Sequence, residues 1–147
     1  MIKQLLPVLL LGAPLALADA PAKDPLTELY AKLGAVSPKV VKAGYTILHV
    51  EFDRLAPGRE YVFKHELSAQ NKYKVVGVGA KGITDLQLRL IDSKGKVEGN
   101  DPRPDSVALI NLVPKVGGIF TLKVGSSKIE GDRPYFFCLI ASKPKDR

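Results

Sequence analysis

His49 and Glu51 stand two residues apart and so on one face of an extended strand, and a second histidine, His65, adjoins Glu66. Histidine beside carboxylate suits acid–base chemistry or a zinc shell. Neither is completed here. There is no H-E-x-x-H, no cysteine ligand accompanies the pair, and His65 keeps step with Tyr61 and Phe63 on an apolar face, where a hydrogen-bonded core or rim histidine is the usual case. No serine lies in G-x-S-x-G. The expectation is a chain with no catalytic, cofactor-binding or metal-binding residue, and therefore no enzyme.

Three other chemistries meet the same test. A calcium site would have to draw on Asp85, Asp92, Asn100, Asp101 and Asp105, but their spacing does not match a twelve-residue loop closed by glutamate, and Lys94, Lys96 and Arg103 lie among them. Aspartate and asparagine also serve turns by hydrogen-bonding the local backbone, which is the reading preferred here. Nucleic-acid binding would need exposed aromatic and basic side chains interleaved, and the nearest approaches, Tyr61 to Lys64 and Lys72 to Lys74, place their aromatic rings toward the core. Cys138, the only cysteine, sits in an apolar run, Tyr135 to Ala141, and reads as an inert buried thiol.

The elements that must position these residues follow from periodicity. Asp24 can cap a helix, Pro25 suits its first position, and Leu26, Leu29, Tyr30 and Leu33 form one stripe before Gly34 closes it. Residues 35–44, with Pro38, read as a connector. From Tyr45 the period becomes two, with strands expected at 45–52, 60–67, 72–79, 85–91, 107–113, 118–124 and 135–142. In the first, Leu48, Val50 and Phe52 take the apolar face and His49 and Glu51 the other. An all-β fold follows, an antiparallel β-sandwich of about seven to eight strands with one short N-terminal helix, a barrel being the alternative. Strands 107–113 and 135–141 are apolar on both faces, so something must cover them: the helix and loops, or a partner.

Residues 1–18 have the form of a secretory signal: Lys3, an apolar stretch over 5–17 and the small-x-small set Ala16-Leu17-Ala18, with cleavage expected after Ala18. Pro7, Gly12 and Pro14 interrupt a run too short for a membrane span. The mature chain is expected in the periplasm or the medium as a leader, helix and connector (19–44), a sandwich domain (45–142) and a basic tail (143–147). The formal charge of +7 favours anionic partners, namely phospholipid headgroups, acidic polysaccharide or an acidic protein face. The lysines form no long run, so a solubilising surface is the simpler reading.

The order Val76-Gly77-Val78-Gly79, Thr84 to Gly95 with its Asp92-x-x-Gly95 turn, Gly99-Asn100-Asp101 and Gly117 to Val124 resembles the bacterial pre-peptidase C-terminal domain over residues 45–142. The resemblance implies a jelly-roll-like sandwich, exported and non-catalytic, often appended to secreted hydrolases, some relatives binding calcium or an extracellular polymer. Phe120 replaces the usual tyrosine, Gln87 stands where many relatives are acidic, and no protease is attached, which argues against carrying calcium over. The expected function is an exported accessory module presenting loops 80–84, 92–105 and 125–134 to a protein or polymer partner. The alternative is an assembly subunit that oligomerises through strands 107–113 and 135–141.

Overall fold

The computed structural model describes residues 24–146, so the signal segment expected at 1–18 and the start of the expected leader lie outside the described residues. One helix, α1 (Pro25–Lys42), precedes β1 (Thr46–Arg54), β2 (Tyr61–Leu67), β3 (Asn71–Gly79), β4 (Leu86–Ile91), β5 (Val97–Asp101), β6 (Val107–Leu112), β7 (Gly118–Ser126) and β8 (Tyr135–Pro144). The strands form two four-stranded sheets, ordered β1-β8-β3-β6 (sheet A) and β2-β7-β4-β5 (sheet B), with antiparallel neighbours throughout. The pairs β1/β8, β2/β7, β3/β6 and β4/β5 are those of one long hairpin wound over itself, which makes the sandwich a jelly roll.

The sheets bury one core between them. Leu86, Leu88 and Leu90 from β4 and Phe120, Leu122 and Val124 from β7 meet Phe136, Cys138 and Ile140 from β8, all at most 3 % exposed. β4 follows the period-two rule of a sheet with one wet face, its residues alternating between buried and partly or fully exposed.

β8 breaks that rule because a second core lies on the outer face of sheet A. There Leu29 and Val40, with Leu33 and Val36, pack on Phe137, Leu139 and Ala141 of β8 and on Val76 and Val78 of β3. The helix is the cover that the doubly apolar 135–141 run demanded. It does less for β6, where Leu109 is half-buried and Val107 is left exposed.

The helix runs beyond the Gly34 stop read from the sequence, through Pro38 to Lys42, so 35–44 is largely helical. Gly34 and Pro38 are unfavourable in a helix interior, but Val36 and Val40 continue the stripe onto the sheet, and tertiary burial outweighs propensity. Asp24 caps as expected, its carboxylate accepting the Leu26 N–H at 3.2 Å, and Gly44 at φ 88° ends the element. β5 takes part of the expected loop 92–105, and β8 extends into the expected basic tail.

β1 departs most. Its pairing with β8 shifts between Ile47 and His49, so that Leu48 bulges out at 46 % exposure. Ile47, Val50 and Phe52 then face the helix, and His49 and Glu51 lie opposite Ile140 and Cys138, residues of the inter-sheet core. The polar face of β1 therefore turns into the sandwich, where the sequence pattern had it facing away from the core.

Candidate functional site

The inward-turned face of β1 meets the inward face of β2 at one open side of the sandwich. His49 Nε2 lies 2.8 Å from Glu51 Oε2, the Tyr61 hydroxyl donates to Glu51 Oε1 at 2.9 Å, and the His49 and His65 rings are 6.0 Å apart. Glu51 thus has a hydrogen-bond partner on each oxygen. Its bond to Tyr61, aided by burial of the ring, pushes the phenol up to about 12. His65 is held below the usual imidazole value, first by burial and then by His49. Glu66 is exposed, whereas its neighbour His65 is half-buried.

This rim brings together two histidines, a carboxylate and a phenol. The one thiol nearby, Cys138, is fully buried, and burial, with the Glu51 charge as a lesser cause, drives it far above the usual thiol range. Among the described residues no group of three or more His, Cys, Asp or Glu side chains is placed to hold a metal ion.

The five candidate calcium ligands are dispersed and already occupied or exposed. Asp85 accepts from the Ser127 hydroxyl and from Gln87, while Asp105 accepts the Val107 N–H. Asp92 closes the β4–β5 turn by accepting the Lys94 and Lys96 N–H groups, both at 2.9 Å, which holds its carboxyl below the usual range. Asn100 is exposed on β5.

Asp101 is the exception in depth. It is 3 % exposed, takes the Arg103 guanidinium at 2.6 Å and accepts the Leu109 N–H of β6 at 2.7 Å. Arg103 is the leading reason its carboxyl lies far below the ordinary range, against the opposing effect of burial. The arrangement ties sheet B to sheet A and is structural.

The connections sort into two ends. At one, the Leu55 N–H donates to Pro134 O, the Glu130 N–H to Gly82 O and the Leu86 N–H to Asp105 O, joining segments 55–60, 80–85, 102–106 and 127–134. Gly82 permits the closest approach. It has φ 103°, and a Cβ there would run into the Glu130 carbonyl. The β4–β5 turn at 92–96 lies at the opposite end, so the three loops expected to form one surface do not. Loops 80–84 and 125–134 do come together, joined by 102–106 and by 55–60, which the sequence reading left out.

Concavities of about 430, 380 and 330 Å³ open at this four-loop end. The largest is lined by Arg54, Arg59 and Arg133 with Asp53, Glu60 and Tyr61. Arg54 donates to the Arg133 carbonyl at 2.8 Å and lies 4.7 Å over the Tyr135 ring, so its guanidinium is held in place. Glu60 pairs with Arg89 and Lys123 across the sheet. Sequence reasoning missed these arginines, although Arg54 and Arg59 flank the Ala56-Pro57-Gly58 turn. The end presents Arg54, held by the Arg133 carbonyl and the Tyr135 ring, with Arg59 and Arg133 beside the carboxylates of Asp53 and Glu60.

A scan against protein-family models finds no match to the chain, and a search of curated proteins also finds none.

Proposed function

We propose that the chain is an exported, non-catalytic binding or accessory module, similar to a pre-peptidase C-terminal domain, that takes a protein or extracellular polymer at its four-loop end. The observation that carries this reading is the arginine-lined concavity of about 430 Å³ among hydrogen-bonded loops. It is supported by the rim, where Glu51 is hydrogen-bonded to His49 and Tyr61, and by the export signal read in 1–18. The reading needs no cofactor. Its test is capture from the native envelope and medium by the mature chain, compared with Arg59→Ala/Arg133→Ala. Specific capture that the double variant loses supports it. Capture that survives the double variant, or substrate turnover abolished by His49→Gln, overturns it. N-terminal sequencing of the exported product checks cleavage after Ala18.

The assembly alternative retains one observation, the exposed Val107 and Val113 beside half-buried Leu109 at the edge strand β6. The 135–141 run is no longer available to it, being covered by α1. A stable oligomer in a sizing experiment, dispersed by Val107→Lys, would favour assembly. A monomer favours ligand binding through the loops.

A further inference from the structure

We infer that the end of the sandwich opposite the four loops docks on an anionic lipid surface. The inference is independent of the loop-end reading and uses different residues.

The jelly-roll winding collects lysines that are far apart in the sequence. Lys39 and Lys42 finish α1, and Lys72 and Lys74 begin β3. Lys94 and Lys96 sit in the β4–β5 turn and Lys115 in the β6–β7 loop, while Lys143 and Lys145 bring the chain out of β8. These positions form one continuous surface. Lys143 Nζ reaches the Ala43 carbonyl, the Lys145 N–H donates to Gln70 O, Gly117 packs on the Leu67 carbonyl, and Gly118 neighbours Ser93.

Four acids share this end, and three are engaged: Asp146 with Lys72, Glu98 with Lys96, and Asp92 with the backbone of its own turn. Glu66 is the fourth. Over the rest of the described chain acids and bases are equal in number, so the net positive charge resides here. Lys39, Lys42, Lys94, Lys115 and Lys145 have no carboxylate within ion-pair distance among the described residues.

Two features select lipid over another polyanion. The first is apolar exposure among the lysines: Val116, 77 % exposed, tips the β6–β7 loop next to Lys115, and Ile119, Val113 and Val41 are 55 %, 48 % and 57 % exposed. Aliphatic tips among cations are stabilised where headgroups meet acyl chains, and a sugar polyanion has no apolar phase to receive them. The second is that all these cations are lysines, whereas every described arginine lies elsewhere. Lysine is a compact charge on a long stem that reaches into headgroups, while forked recognition of the carboxylates of an acidic polysaccharide favours arginine. No helix among the described residues is long and apolar enough to cross a membrane.

The experiment is vesicle co-sedimentation of the chain from residue 19, which contains every described element and omits the apolar stretch over 5–17, itself able to enter lipid. Vesicles of phosphatidylcholine with about 30 mol % phosphatidylglycerol are compared with pure phosphatidylcholine. Expected is binding to the anionic vesicles alone, weakened by salt. Lys42→Gln/Lys94→Gln/Lys115→Gln should lower it about a hundredfold, at about fivefold per lysine, and Val116→Gln a few-fold more. Lys32→Gln/Lys81→Gln/Lys128→Gln, which removes equal charge away from this end, should change it less than about threefold. Unchanged melting temperatures confirm that the variants fold. Equal binding to neutral vesicles, equal loss in both triple variants, or retention on heparin without vesicle binding overturns the proposal, the last in favour of an acidic polysaccharide.

Discussion

Sheet A and sheet B share a strand count and a winding, yet β8 in sheet A is buried on both faces while β4 in sheet B alternates between core and surface. The difference is α1, which lies along one sheet and has no counterpart on the other among the described residues. A covering element changes the rule that a strand's sequence must obey: under the helix every position of β8 from Phe136 to Ala141 is core, whereas on sheet B Arg89, Thr121 and Lys123 meet water. Sheet A is thereby the frame, and the outer face of sheet B is free to change.

The largest test of that contrast is Phe137→Ala, which removes a fully buried ring from the helix side and should destabilise the fold by about 4 kcal/mol in denaturant unfolding. A loss below about 1 kcal/mol would mean that α1 does not seal that face. Next is Asp101→Ala, which leaves the Leu109 N–H and Arg103 without their acceptor and should cost about 3 kcal/mol.

The same carboxylate sets an acid limit. Its folded value lies below the unfolded one, so its stabilisation is complete above about pH 4 and is lost as pH falls toward the folded value. Asp101→Asn should flatten the stability profile there.

His65 acts in the same direction at higher pH. Its imidazole takes up a proton less readily in the fold than in the unfolded chain, so the unfolded chain is protonated first and stability declines as pH drops below about 6.5. In His65→Gln that decline should shrink, as read by melting temperature between neutral and mildly acidic pH. The smallest effect belongs to the bare face: Arg89→Ala breaks an exposed ion pair with Glu60 and should shift stability by no more than about 0.5 kcal/mol. A larger loss would give sheet B a cover of its own and end the contrast.

Seven strands were legible because period-two alternation and turn residues coincide in them. β5 was not, since Val97-Glu98-Gly99-Asn100-Asp101 has no apolar alternation and owes its pairing to β4 and to the Asp101 link with β6. The helix end was misread where local signals, Gly34 and Pro38, compete with burial of Val36 and Val40. The facing of β1 escaped because its apolar residues Val50 and Phe52 pack under α1 on the outer side of sheet A, which turns His49 and Glu51 toward the other sheet, and the bulge at Leu48 brings Ile47 to the helix side as well. The arginine-lined concavity and the lysine-rich end arise only when the winding brings distant turns together.

That winding also governs when the molecule can fold. Thr46 pairs with Ser142, and β8 is the hydrogen-bond partner of both β1 and β3. Until the last strand arrives, sheet A is divided and α1 lacks the Phe137 and Leu139 surface on which it rests. Contacts so distant along the chain place folding on the order of milliseconds to seconds. A chain released N-terminus first therefore stays open until its final segment is free, and its clock is set by β8.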